Sequence, residues 1–298
     1  MDIIKKLAQE LAIKEEQAKA AVQLIDEGNT IPFIARYRKE MTGALNDETL
    51  RNLHERLLYL RNLEEKKEQV INAITDQGKM TEDLKKKILS AETLVAVDDL
   101  YRPYRPKKQT RATKAKEKGL EPLANILLLQ KTTKSMEEEA AAFVNAEKGV
   151  ANAKEAIAGA KDIIAEMIAD MADYRKSIRN CTMKQGSLVV KAKDEKAESV
   201  YEMYYDFREP LSKVTGYRVL AINRGEKEKI LTVKINAPEE EILSWLKRQV
   251  IRTDNPNTTP ILEAVVEDSY KRLIAPAIER EIRNDLTEKA EDGSIKVF

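Results

Sequence analysis

Cysteine and histidine are nearly missing from this 298-residue chain, with Cys181 and His54 the single representatives of each. An internal disulfide is therefore impossible, and no zinc site of Cys and His ligands can be assembled. A Ser-His-Asp or Cys-His arrangement would have to use His54, which sits in a Leu-rich helical pattern and reads as an ordinary helix-face side chain. Glycine (10) and proline (9) are scarce, and aromatics make up only 5%. No apolar run is long enough to span a bilayer, and no signal-like segment follows Met1. These absences point to a cytoplasmic protein without catalytic machinery, metal site or cofactor motif.

What the chain does have is charge: 35% Asp, Glu, Lys and Arg, balanced to a net +1. With abundant Ala, Leu, Glu and Lys, this composition favours long helices with solvated faces. Any attraction to nucleic acid must then be local rather than global. Asp2 caps a first helix, a second runs from about Lys14 to Gly28, and Thr30 caps a third carrying Pro32 in its first turn with Phe33, Arg36, Tyr37 and Arg38. Three short helices on tight turns have helix-turn-helix character, although the end of any helical bundle looks similar. Asp47 begins a long helix whose stripe from Leu50 through Leu53, Leu57, Leu60, Leu63, Val70 and Ile74 faces a core. Its other side, Arg51 to Lys67 with interspersed Glu, is expected to form ion-pair lattices. Gly78-Lys79-Met80-Thr81 resembles a phosphate loop but has Ala73 where the upstream glycine belongs and no strand before it.

One stretch departs from the rest in composition and charge together. From Arg102 to Lys118 there are eight Lys and Arg against the single acid Glu117. Pro103 and Pro106 disfavour helix and push Arg102 and Arg105 towards extended backbone, while Tyr101 and Tyr104 anchor the strap on its neighbours. Arg102, Arg105, Lys107, Lys108, Arg111 and Lys114 are the candidate contacts for a nucleic-acid backbone, provided that they protrude without internal acidic partners. The plainer reading is a solvated strap that only ties helices together. Asp98 and Asp99 precede it, and two adjacent carboxylates make a weak case for a divalent ion.

Beyond the strap, Gly119 separates a short basic helix from one near Pro122. Ser135 and Glu138 form a capping box for a helix reaching about Gly149. A heptad frame from Ala153 to Cys181 predicts one long central helix of roughly 40 to 45 Å, with Cys181 as a buried thiol. The residues 187–191 and 229–235 read as a small antiparallel pair, and Tyr201, Tyr204, Tyr205 and Phe207 as a helical core stripe between them. A helix over Tyr217–Glu226 would let Arg218 and Arg224 meet Glu209 or Glu226. Thr253–Pro260 reads as a polar linker, and Pro276 as a kink or stop in the last helix. The abrupt apolar ending at 294–298 reads as that of a fragment.

The expected fold is mostly α: a multihelical array with helix-turn-helix character, one long central helix and a small antiparallel β insertion. The expected segments are a multihelical region at 1–186, an α/β insertion at 187–236 and a helical segment at 237–298. The stretches TIPFIARYRKEMTGAL, DDLYRPYRPKKQTRATKAKEKGLEPLA, RVLAINRGEKE and DSYKRLIAPAIEREIRNDLTEKAE, in that order, resemble the amino-terminal region of the Tex family of bacterial transcription accessory proteins. Arg102, where an apolar residue is more usual, and Tyr217, where histidine is common, depart from the pattern. The resemblance implies a non-catalytic region, followed in complete members by an RNase-H-like YqgF domain, helix-hairpin-helix elements and an S1 domain. It implies a nucleic-acid-binding scaffold associated with transcription, with RNA or DNA as partner; transcription or ribosomal machinery is a further candidate partner. The alternative is a scaffold that positions other domains and has no nucleic-acid affinity of its own.

Overall fold

The computed structural model describes residues 1–295, with side chains through 293. The apolar ending at 294–298 lies outside the residues whose side chains are described. The chain divides into two compact units, Met1–Tyr104 and Arg105–Phe298. Each has its own buried apolar cluster.

The first unit is entirely helical: α1 (Ile3–Leu11), α2 (Glu15–Asp26), α3 (Ile31–Tyr37), α4 (Lys39–Thr42), α5 (Asp47–Asp76), α6 (Glu82–Ser90) and α7 (Leu94–Tyr101). The predicted caps at Asp2 and Thr30 are in place, accepting from Lys5 N and Phe33 N, and Thr81 caps α6 by accepting from Leu84 N. Helix α5 is the mast of this unit, and α1, α2, α3, α6 and α7 all pack on it. Leu50, Leu53, Leu57, Leu60, Leu63, Val70 and Ile74 face the core as their spacing requires. The ion-pair lattice reaches across helices: Arg56 grips Glu10 of α1 with two hydrogen bonds of 2.6 and 2.9 Å, and Arg61 grips Asp26 of α2 at 2.7 and 2.8 Å. Lys67, expected on the solvated side, is only 1% exposed. Its ammonium donates to Leu89 O at 2.8 Å and to Glu64 at 3.2 Å, so the charge is buried with partners.

The second unit contains α8 (Arg111–Glu117), α9 (Glu121–Leu129), α10 (Met136–Ala141), α11 (Ala153–Asp170), α12 (Ala172–Gln185), β1 (Ser187–Ala192), β2 (Asp206–Pro210), α13 (Gly216–Lys227), β3 (Leu231–Asn236), α14 (Glu239–Val250), α15 (Thr259–Asp268) and α16 (Ala275–Ile295). Helix α11 is its axis, touching α8, α9, α10 and α15. The approach of α8 and of the turn after it is close: a Cβ on Gly159 would fall 3.2 Å from Ala115 Cβ in α8 and 2.3 Å from Leu120 Cδ1 ahead of α9. The sheet is antiparallel in the order β2-β1-β3, with Ser187 opposite Pro210 on one side and Asn236 on the other.

Several expectations are corrected here. The continuous helix over 153–181 is broken at Met171, whose ψ of 117° is extended. The heptad pattern carries across the break because apolar positions on both sides still face the core, and periodicity records burial rather than backbone continuity. Cys181 is half-buried rather than buried, and desolvation raises its thiol above the ordinary value. The helix begun at Ser135 ends at Ala141, and the chain then closes a one-residue bridge between Asn145 and Val150. The aromatic stripe is no helix: Tyr201 and Tyr204 are buried around a 3₁₀ turn, and Phe207 lies in the strand β2, edge-on to Tyr204 at 5.4 Å. Tyr201, Tyr205 and Phe207 fit a period of two, and Tyr201, Tyr204 and Tyr205 fit one of three and a half, so the spacing alone does not choose between strand and helix.

Pro276 neither stops nor separates the last helices. A π-helical turn, Ser269–Ile274, links α15 to α16 and absorbs the proline, whose ring would otherwise meet the carbonyl four residues back. Ser269 Oγ pins this turn to α11 by donating to Ala165 O at 2.7 Å. The polar stretch 253–260 is likewise tied down. Gln130 accepts from the backbone N–H of Arg252 at 3.0 Å and donates to Val250 O at 2.9 Å, while Asn255 donates to Gln130 O and Thr132 O.

Candidate nucleic-acid interface

The strap begins where α7 tightens into a 3₁₀ turn, Arg102–Tyr104. Arg102 is helical here (φ −50°, ψ −44°), not extended, because its N–H donates to Asp98 O and carries the α7 spiral one turn further. Tyr101 and Tyr104 are half-buried against the core of the first unit, as their anchoring role requires, and Gln77 holds Tyr104 O at 2.8 Å. Asp98 lies 3.4 Å from Lys66 Nζ, and Asp99 is buried. Residues 105–110 have no regular structure, and Thr110 then caps α8 in a reciprocal pair with Thr113. Arg102 belongs to the first unit, whereas Arg105, Lys107, Lys108, Arg111 and Lys114 belong to the second.

The six candidate cations differ in what surrounds them. Lys107 is no solvated charge: its ammonium is ion-paired with Asp170 at the end of α11 and lies 3.6 Å from Glu166. Arg102 and Arg105 each take part in an interaction within the protein. Arg111 stands near Asp162 and Asp268 and lowers the proton affinity of both. Burial nevertheless leaves Asp162 above the ordinary carboxylate value, while the hydrogen bonds from Arg272 hold Asp268 below it. The expectation that the strap cations lack acidic partners is thus overturned for Lys107 and weakened for Arg111.

Lys108 and Lys114 are exposed, and no ion pair reaches either among the described residues. Arg111, Lys114 and Lys118 fall at i, i+3 and i+7, so one flank of α8 and its terminus is cationic. Ala112 and Ala115, about a quarter turn round the helix from this flank, are buried and seat it on α11. A cation that the local charge run does not contain joins the end of this row. Gly119 and Gly149 both turn with φ of +77°, and each lies beside the other turn's lysine: a Cβ on Gly119 would sit 3.5 Å from Lys148 Nζ, and one on Gly149 3.9 Å from Lys118 Nζ. Lys148 lies thirty residues away in sequence, in a stretch where Glu147 precedes it, so no charge window reveals it.

Comparison with known proteins agrees with this architecture. Residues 131–298 match the family description "Tex central region-like", and residues 1–75 match "Tex-like protein N-terminal domain". The chain belongs to the Tex family. It is 45% identical over 295 residues to the uncharacterized protein YdcI of Bacillus subtilis, a match covering 98% of this chain and 41% of that protein. It is 37% identical to the transcriptional accessory protein Tex of Neisseria gonorrhoeae, covering 100% of this chain and 40% of its relative. The human S1 RNA-binding domain-containing protein 1 is 33% identical, with 100% of this chain and 31% of the human protein covered. The chain thus spans about two fifths of the length of its bacterial Tex relatives. No helix among the described residues is long and apolar enough to cross a membrane.

Proposed function

We propose that this Tex-family region is a non-catalytic, nucleic-acid-associated part of a transcription accessory protein, and that the exposed side of α8 and the strap before it contact the phosphates of RNA or DNA. Lys108 and Lys114 make those contacts, Arg111 joins them at the cost of weakening its attraction to Asp162 and Asp268, and Lys118 with Lys148 extends the row. Arg105 precedes the row in sequence. Lys107 holds the strap to α11. The observation that carries this reading is the row of exposed lysines, on and beside a helix fixed to its unit by two buried alanines, that no ion pair reaches among the described residues. The names of two relatives, a transcriptional accessory protein and an S1 RNA-binding domain-containing protein, are consistent with it.

A row of this kind gives sequence-independent affinity that falls with salt, with a slope reduced by about one for each phosphate contact removed. Titration of the chain with single-stranded RNA and with duplex DNA at several salt concentrations tests it. Lys108→Ala with Lys114→Ala is expected to weaken binding to every sequence alike and to flatten the slope. Unchanged affinity, or none at the outset, favours the second reading, a structural scaffold that positions other domains or meets protein components of the transcription or ribosomal machinery. The Lys107 ion pairs with Asp170 and Glu166 are the observation on that side, since they spend a strap cation on internal cohesion.

A further inference from the structure

The first unit carries a second cationic surface, and it differs from α8 in having aromatic rings. Between Ile31 and Thr42, α3 and α4 are separated by a single non-helical residue, Arg38 (φ −127°, ψ 27°). Tyr37 is 66% exposed and Met41 50%, and Arg36 and Lys39 are exposed beside them. The Phe33 and Tyr37 rings stand 5.3 Å apart at 44°, and the Arg38 guanidinium lies 5.0 Å above the Phe33 ring. Glu40 is the lone acid from Ile31 to Thr42. No ion pair reaches Arg36, Arg38 or Lys39 among the described residues.

This surface is built rather than loose. Ile34 and Thr42 are fully buried beneath it. Thr42 Oγ1 donates to Arg38 O at 3.3 Å, and Gln17 of α2 donates to Thr42 O and Gly43 O at 3.2 and 3.1 Å. Gly43 is left-handed, and a Cβ there would lie 2.7 Å from Gln17 Nε2, so the end of α4 is seated closely on α2. An exposed phenol ring, a second ring stacked under a guanidinium and three cations without acidic partners, all on a fixed backbone, is the combination that takes unpaired bases and their phosphates. A duplex hides its base faces, and an acidic protein would use the cations but not the ring.

We infer that the face of Ile31–Thr42 is a contact for single-stranded nucleic acid, in which Tyr37 stacks on an unpaired base and Arg36, Arg38 and Lys39 hold the adjoining phosphates. The inference rests on the reading that the chain meets nucleic acid, but it concerns a different unit and a different kind of contact.

The test uses the whole chain, a single-stranded RNA of about a dozen nucleotides and the same strand with its bases removed. Tyr37→Ala is expected to weaken binding to the intact strand about fivefold or more, the usual range for loss of one stacked base. It should leave both the salt slope and binding to the abasic strand unchanged, and Tyr37→Phe should restore affinity. Equal losses on the two strands, or no loss on the intact one, overturn the inference. Loss of binding on Lys108→Ala with Lys114→Ala, with Tyr37→Ala silent, overturns it while sparing the α8 reading. Failure of the unsubstituted chain to bind either strand overturns both. An acidic peptide bound as tightly as RNA, with the same dependence on Tyr37, overturns it in favour of a protein partner.

Discussion

Lys107 and Lys108 are adjacent, chemically identical and treated in opposite ways by the fold. Lys107 reaches Asp170, a carboxylate whose side chain is 10% exposed, whereas Lys108 points to solvent. Removing Lys107 strips the Asp170 carboxylate of an ammonium partner in a poorly hydrated place, so Lys107→Ala is expected to destabilise by about 1 to 3 kcal/mol. Lys108→Ala, free of that constraint, should stay within about 0.5 kcal/mol. Urea titrations of the two variants check this, and equal stabilities would deny Lys107 its structural role. The sequence shows that both positions are basic, but it cannot show which one meets an acid 63 residues later, because that contact exists only once the strap is folded onto α11. Tyr270 illustrates the same point with a neutral group. Its burial, which pushes the hydroxyl up to about 12 from 10.0, is a tertiary fact that no local pattern shows. The folded state therefore resists ionising this phenol more than the unfolded chain does. The stabilisation is complete below pH 10 and is lost as pH rises from there towards 12. Tyr270→Phe should make alkaline unfolding less steep over that window, as followed by circular dichroism.

At the scale of elements, helix positions and caps are readable because they depend on residues within one turn of each other: Asp2, Thr30 and Ser135 all cap as expected. The elements that were misread depend on distant partners. Strand β2 exists because Asp206–Pro210 pairs with β1, and nothing within DFREP distinguishes it from an irregular segment. The apolar spacing is indifferent both to the break at Met171 and to the π turn before Pro276, because it records burial and not backbone hydrogen bonding. Gly159 brings the local and the distant into conflict. By propensity alone, Gly159→Ala in mid-helix would stabilise by about 1 kcal/mol. The added methyl, however, would overlap Leu120 Cδ1 at 2.3 Å and crowd Ala115. Such overpacking costs about 1 to 3 kcal/mol, so the variant is expected to be no more stable than the parent and in most of that range less so. Adding Leu120→Ala should make the glycine replacement favourable in that background. A double-mutant cycle by thermal unfolding reads the sign directly, and a stabilising single Gly159→Ala would show that the Leu120 side chain yields to the added methyl at little cost.

The molecule as a whole has almost no net charge, which makes its surface a matter of where cations are placed rather than how many there are. The strap concentrates them where the two compact units meet in sequence, between Tyr104 and Arg105. Residues 105–110 lack regular structure, and the apolar clusters of the units share no residue across this stretch. Exposed, irregular backbone rich in Lys and Arg is the preferred substrate of trypsin. The Arg105-Pro106 bond is resistant by virtue of its proline, and the Lys107 side chain is engaged with Asp170, which leaves the bond after Lys108 as the most accessible within the strap. Brief tryptic digestion of the native chain is therefore expected to cut first between Lys108 and Gln109. The two products should keep their helical circular dichroism after separation, because each retains a complete core. First cleavage inside α5 or α11 would instead mean that the units open before the strap does. Nucleic acid provides the decisive arm of this experiment: a strand lying along the exposed lysines of α8 must cover Lys108, so saturating RNA should slow the cut at low salt and lose that protection as salt rises. Protection that ignores salt would point to a contact made through something other than phosphate.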